Sequence, residues 1–356
     1  MDNSIILHAK DCVKAGDTFY FISSKMNLIF SANMTTDEVA IVDILPEKTG
    51  LCEDFSGAIS AYKNNKLVIT PNKSDTIWIY DLQSKEWQGI HRKNLAHVGS
   101  GGMLQIIENG DNYYFVGSSY PAIINLNFAT MELKYIMEPF EDKKSMIPQP
   151  KDAFFRSHHA RVGDFLYLAS CLDNTVLRYN LSTNEYRWMS VGNSENKYSG
   201  IVYDGEKFWL APRTNGKIVK WDGNLGVDTV DLSMAFAKEN NYFLGICFDG
   251  KKIILPNQVE ENTVIVNKTD NKSNLIPIRY SMMKQFDNGD LVSEDYLGNF
   301  AYLHNGKQLY GKKICISKSE IEDIYEANRA SIFRGNNPYK EDCLFGLESF
   351  VKDLTK

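Results

Sequence analysis

Three short stretches decide the architecture: Ile77-Trp78-Ile79-Tyr80-Asp81, Val176-Leu177-Arg178-Tyr179-Asn180 and Ile218-Val219-Lys220-Trp221-Asp222. Each is a β-branched and aromatic run closed by Asp or Asn, as a strand running into a turn is. Lys85-Glu86-Trp87 follows the first and Glu185-Tyr186-Arg187-Trp188 the second, so another strand comes next. Upstream, a tight-turn signal recurs along the chain: Met26-Asn27, Asn64-Asn65-Lys66, Asn109-Gly110-Asp111, Val162-Gly163-Asp164, Asp204-Gly205-Glu206, Asp249-Gly250-Lys251 and Asn288-Gly289-Asp290. Asn-Gly and Asp-Gly supply the positive φ angles of tight hairpins. From residues 27, 65, 110, 163, 205, 250 and 289 the steps are 38, 45, 53, 42, 45 and 39, a mean of about 44. That is the length of a propeller blade. An Asp or Asn closes a strand 15 to 17 residues after each turn: Asp43, Asp81, Asn125, Asn180, Asp222, Asn267 and Asn305.

Four short antiparallel strands repeated seven times predict an all-β fold, a seven-bladed β-propeller of four-stranded blades. A single twisted sheet cannot bury both of its faces, whereas radial packing of several buries both and leaves short protected edges. The gaps between strands are too short for crossover helices, which excludes a parallel sheet. The propeller is expected over residues 1–316, with Ser4 to Ala9 contributing to closure of the last blade; Gln308 to Ile316 is the other candidate for that strand. A short C-terminal helical extension is expected over 317–356. Ser319 before Glu320-Ile321-Glu322 reads as a capping box opening a helix through about Phe333. A second amphipathic helix fits 341–354, with Leu344, Leu347, Phe350, Val351 and Leu354 on one face. Such helices dock on the propeller or present a face to a protein partner.

Composition narrows the function. The 356 residues are 43% hydrophobic and 24% charged, enough for a large core. A net charge of −6 argues against a nucleic-acid binder, which needs a basic field. No apolar run approaches the ~18 residues of a membrane span, and Met1 to Lys10 lacks the features of a secretory signal. The six cysteines lie at least 28 positions apart, so there is no CxxC pair, and buried reduced thiols in a cytoplasmic protein are expected. The sequence holds no GxSxG elbow, P-loop, HExxH or dinucleotide fingerprint. No cofactor and no metal are expected.

The Ile79-Tyr80-Asp81-Leu82…Glu86-Trp87 segment, a Tyr-Asp pair before a Trp, resembles the end of a kelch repeat, and Gly101-Gly102 offers one glycine doublet of that kind. Over about residues 10–316 the chain is similar to kelch-like seven-bladed propellers. The resemblance implies the architecture; propellers host enzymes, scaffolds and receptors, so it fixes no activity. It also implies that the starts of the innermost strands and the ends of the second strands share one face, around the mouth of a central channel.

Candidate site residues follow from that geometry. Three second strands end in Thr70-Pro71-Asn72-Lys73, Ala211-Pro212-Arg213-Thr214 and Leu255-Pro256-Asn257-Gln258; others end near Tyr120, Asp173 and Glu294-Asp295. Proline ends a ladder because it lacks a donor. Ser56-Gly57, Gly101-Gly102, Ser199-Gly200 and Leu244-Gly245 open innermost strands, and at the equivalent place the fourth repeat carries His158, within Arg156-Ser157-His158-His159-Ala160-Arg161. Alternation sends His158 and His159 to opposite faces. Ligand contacts are therefore expected from Asn72, Lys73, Tyr120, His159, Tyr198, Arg213, Asn257 and Gln258. The first expectation is a binding propeller that takes a peptide, glycan, small anionic molecule or protein partner at the mouth. The second is a lyase, hydrolase or isomerase at the same mouth. There His158 would transfer protons, Arg213 would anchor an anion, and Glu294 or Asp295 would orient, with a further acid drawn from Glu53, Asp54 or Asp173. The third is a purely structural scaffold.

Overall fold

The computed structural model describes residues 4–23, 27–46, 57–72, 74–95, 102–143, 153–156, 158–213, 216–232, 243, 245–257 and 262–324. Its fold is a seven-bladed β-propeller. Seven four-stranded antiparallel sheets follow one another in sequence, each with its strands in simple meander order. The blades, numbered I to VII, span 9–44, 57–91, 103–136, 160–190, 198–231, 247–276 and 280–313.

Local chemistry builds each blade twice over. The first hairpin is a two-residue turn in blades I to IV, at Gly16-Asp17, Asn64-Asn65, Gly110-Asp111 and Gly163-Asp164, with Gly16 at φ 59° and Asn64 and Asn65 at 49° and 61°. In blades V and VI an Asp starts a longer turn: Asp204 Oδ1 accepts the amides of Glu206 and Lys207, and Asp249 Oδ1 those of Lys251 and Lys252. The second device sits between the third and outer strands, where a closing Asx side chain accepts backbone amides two and three residues on. Asn33, Asp81, Asn127 and Asn180 do this at 2.8 to 3.1 Å. Four residues after each closer, Asp37, Lys85, Met131 and Asn184 take a positive φ near 60°; Asn271 does the same after Asn267. Blade VII departs, with Asn305-Gly306 as a two-residue turn.

These turns correct the phase of the first repeat. Its hairpin is Gly16-Asp17, whereas Asn27 of the expected Met26-Asn27 turn directly precedes the third strand, Leu28–Asn33, which follows the second, Thr18–Ser23; Met26 lies outside the described residues. Its closer is Asn33 instead of Asp43, and in blade III it is Asn127 instead of Asn125. Pro71, Pro212 and Pro256 each end a second strand as expected. Residues Lys307–Lys313 form the outer strand of blade VII. The N-terminal strand Ser4–Ile6 pairs instead with Cys315–Ser317 in a separate two-stranded sheet, with Ile5 opposite Ile316. A helix begins at 318–324. Its cap is Ser317, whose Oγ accepts the Glu320 amide at 3.2 Å, two residues before the expected cap. The remainder of that helix and the one over 341–354 lie outside the described residues.

The chain divides into two compact units, 1–91 with 296–301 and 310–356, and 92–295 with 302–309. In the second unit, separate apolar clusters fill each interface between consecutive blades. Val116, Ile123, Phe154, Leu168 and Tyr179 join III to IV; Tyr167, Val176, Ile201, Phe208 and Trp221 join IV to V. Trp209, Ile218, Ile253 and Val264 join V to VI; Cys247, Ile254, Met283 and Leu291 join VI to VII. In the first unit, Val13, Ile22, Ile29, Leu67, Ile69 and Tyr80 join I to II. There Phe300 packs edge-on against Phe19 at 5.0 Å, and Lys312 pairs with Asp37.

The candidate functional site

The inner strands of blades I, II, III, V and VII each slip register near their starts, between Ala9 and Cys12, Ile59 and Ala61, Met103 and Gln105, Tyr198 and Gly200, and Tyr280 and Met282. Such bulges re-aim the side chains around them. Blade IV has no such slip. Its inner strand is cut to Ala160–Val162, so His158 and His159 precede the ladder and are aimed by other partners.

His158 reaches across the second unit. Its Nε2–H donates to the Met283 carbonyl of blade VII at 3.2 Å. Its ring lies on Gly245 of blade VI, where an added Cβ would sit 1.9 Å from Nδ1, and its Cβ faces Gly200 of blade V. The two glycines are thus explained by close approach of this imidazole. Burial first, then the neighbouring His159, push its pKa down to about 4 despite the Met283 carbonyl, so the ring is neutral at physiological pH.

His159 turns the other way, to blade III. Gln105 Nε2 donates to the Arg156 carbonyl, which leaves Gln105 Oε1 as acceptor for His159 Nδ1–H at 2.8 Å. The basic lone pair therefore resides on His159 Nε2, which meets no protein hydrogen-bond partner among the described residues. The residue is partly exposed. Burial pushes this imidazole down as well; Asp287 opposes that, while Lys284 and Arg161 add to it. Arg161 binds the Glu108 carbonyl at 2.6 Å and Asn109 Oδ1 at 2.8 Å, and faces Asp287 at 3.5 Å.

A second group gathers at the ends of second strands. Arg213 donates to the Cys171 carbonyl at 2.9 Å, and the Arg213 and Arg156 guanidinium groups both lie against the buried Cys171 thiol. Burial raises that thiol's pKa and the two cations only partly oppose it. The segment carrying Arg156 is pinned on both sides: Phe154 N donates to Ser118 O at 2.6 Å, and Cys171 N to Phe154 O at 2.9 Å. Ser199 buries its hydroxyl without a partner, next to Tyr198, whose amide bonds to Ser170 O at 3.0 Å.

The other expected residues are scattered. Tyr120 and Tyr198 are core residues, their hydroxyls donating to Lys93 O at 2.7 Å and Val191 O at 2.6 Å, so neither ring is presented to a ligand. Asn257 is buried and bridges to Phe243, and Glu294 is buried while Asp295 is partly exposed. Asp173 pairs with Lys143 and accepts the Thr175 hydroxyl at 2.6 Å. Asn72 belongs to the first unit. Lys73, Gln258, Glu53, Asp54, Ser56, Gly101 and Leu244 lie outside the described residues. Gln105, Arg156, Arg161, Lys284 and Asp287 were not among the expected site residues. The available signal was a polar Gln105 inside the apolar run Met103-Leu104-Gln105-Ile106-Ile107, since a buried polar side chain needs a partner. No helix among the described residues is long and apolar enough to cross a membrane.

No family model matches the chain, and no curated protein matches it, so the kelch resemblance is not confirmed. Solved structures do match in fold. A streptogramin B lyase is 12% identical, with 88% of this chain and 97% of the other covered and a TM-score of 0.58. A catalytically inactive histidine-to-alanine variant of virginiamycin B lyase from Staphylococcus aureus, with quinupristin, is 11% identical, with 82% and 92% covered and a TM-score of 0.59. BamB from Moraxella catarrhalis is 12% identical, with 87% and 90% covered and a TM-score of 0.54. At these identities the likeness is one of fold: the class is the seven-bladed β-propeller, whose members here include enzymes.

Proposed function

We propose that this protein is a binding propeller that takes a small polar ligand, a glycan or a peptide at the inner-strand cluster around His159. One observation carries the reading. The Gln105 amide fixes the His159 tautomer and leaves Nε2 as an acceptor that meets no protein hydrogen-bond partner among the described residues. A pre-oriented polar group beside cations is what small-ligand sites use for specificity. Screening small polar compounds, glycans and short peptides by thermal shift tests it. Compounds that stabilise wild type are expected to lose their effect in His159→Ala and keep it in the exposed control Arg187→Gln. No saturable hit, or hits indifferent to His159→Ala, would sink the reading.

The same geometry favours one second reading, an acid–base enzyme of lyase, hydrolase or isomerase type. A neutral imidazole oriented through Nδ1 is the arrangement of a general base. That role belongs to His159, because His158 Nε2 is committed to Met283 O. Turnover of a screening hit by wild type, lost in His159→Ala while binding persists, would support it. A cytoplasmic setting is supported by the free thiols Cys12, Cys171, Cys247 and Cys315; cell fractionation tests it.

A further inference from the structure

His159 and Arg161 leave the inner strand of blade IV on the same side. Both reach the inner strand of blade III, His159 at Gln105 and Arg161 at the Glu108 carbonyl and Asn109. Two residues of chain put no more than about 7 Å between their Cα atoms. Asp287 of blade VII meets Arg161 at 3.5 Å. The two groups left to a ligand here are both acceptors. His159 Nε2 meets no protein hydrogen-bond partner among the described residues. Asp287 has Arg161 as its only hydrogen-bond or ion-pair partner among them, and 58% of its side chain is exposed. The nearby donors are engaged. Every nitrogen of Arg161 already donates, Nε to Gly163 O at 3.1 Å, Nη1 to Glu108 O at 2.6 Å and Nη2 to Asn109 Oδ1 at 2.8 Å. The Lys284 ammonium lies over the Phe286 ring, 5.3 Å from its centre. Asp287, Lys284 and Arg161 all act on the charge of His159, which agrees with their gathering around it.

Charge then selects the ligand. An ammonium group would face Arg161 and Lys284. An anion would face the Asp287 carboxylate and the His159 lone pair, with the nearby donors already engaged. A peptide brings as many carbonyl acceptors as amide donors, and its carbonyls would go unmet for the same reason. A neutral hydroxyl donates to either acceptor and tolerates the cations beside it, because its oxygen also accepts. We propose that the ligand of this propeller is a neutral sugar, with hydroxyl groups donating to His159 Nε2 and to Asp287. The proposal rests on the binding reading above and adds the ligand's chemical class to it.

Ligand-observed NMR titration of the full chain tests this with two matched sets: glucose, glucosamine and glucuronate, and galactose, galactosamine and galacturonate. The titrations run at about pH 6, where the amino sugars are charged and His159, with its pKa lowered to about 4, is neutral. At least one neutral sugar is expected to bind saturably, at least about tenfold tighter than its two charged counterparts. Asp287→Ala and His159→Ala are each expected to weaken that binding at least about tenfold, whereas Arg187→Gln leaves it unchanged. Asp287→Asn keeps an acceptor and is expected to bind in between; it serves if the Ala variant does not fold. Absence of saturable binding by both neutral sugars, a charged counterpart that binds as tightly, or wild-type affinity in His159→Ala or in both Asp287 variants overturns the proposal. The thermal-shift screen separates this failure from that of the binding reading. Hits that depend on His159 and are not sugars remove only the sugar, and a screen without any hit that depends on His159 removes the binding reading as well.

Discussion

At the scale of the residue, neighbouring histidines have opposite fates because their partners lie far apart in the chain. His158 finds a carbonyl 125 residues away and His159 an amide oxygen 54 residues away. The imidazole on Gly245 has a direct consequence. Gly245→Ala places a methyl group inside the ring's space and is expected to destabilise the protein by about 1–3 kcal/mol. Removing the ring relieves the clash, so Gly245→Ala in a His158→Ala background is expected to cost clearly less. Denaturant unfolding of the four proteins of this cycle measures the coupling; strictly additive effects would contradict the placement. Sequence identified His158 as unusual by register alone, since it stands where other repeats carry Gly200 and Gly245, with His159 next to it. It could not apportion their roles, because alternation says only that the two diverge. The same holds for Tyr198: its place beside Gly200 was legible, its hydroxyl bond to Val191 was not.

At the scale of the element, the closing Asx turn organises the blade. Asn180 accepts two backbone amides, from Ser182 and Thr183, and its own backbone amide bonds to the Glu185 carbonyl at 2.8 Å. Asn180→Ala is expected to cost about 1–2 kcal/mol, since it orphans two donors that only water can then satisfy. Chemical denaturation reads this cost, and a loss below about 0.3 kcal/mol would show that the turn forms without the side chain. This device is written in the sequence because it is local: an Asx, two amides and a positive φ within five residues. Together with the Gly and Asn hairpin turns, it is why seven units could be counted, although blade VII closes with Asn305-Gly306 instead. The misplaced first turn has the same explanation. Met26-Asn27 resembles a hairpin in composition, yet Gly16-Asp17 joins strands that pair in register from Ala15 and Thr18 outward. Measured from Gly16, the closer Asn33 stands 17 residues on, the offset that blades III to VI share.

At the scale of the whole molecule, stability comes from apolar interfaces between blades, with the two-stranded sheet of Ser4–Ile6 and Cys315–Ser317 as a clasp. Ile5 and Ile316 face each other in register and each keeps only 3% of its surface exposed. Ile5→Lys puts a charge there and is expected to cost about 3 kcal/mol. Its signature is local: faster hydrogen exchange at the Leu7 amide, which bonds to Ile314 O, with blades IV to VI keeping their protection. Uniform loss of protection would mean that the clasp is not a separate element. That Ser4 to Ala9 holds a strand was readable from its composition, but it was expected in the last blade, which Lys307–Lys313 completes. The pairing that results was not readable, because strand composition does not name a partner when Ser4 to Ala9 and Gln308 to Ile316 are both candidates for one strand of the last blade.

The direction of that clasp sets its mechanical behaviour. Ser4 pairs with Ser317, and the register runs inward to Ile6 with Cys315. A tensile load applied before residue 4 and after residue 317 meets the outermost pair first. The strands then peel apart pair by pair, as a zipper does, instead of sharing the load in shear. An optical-tweezer pull from those two points is expected to show an early low-force extension before the blades yield, and pulling between two points within one blade is expected to lack it.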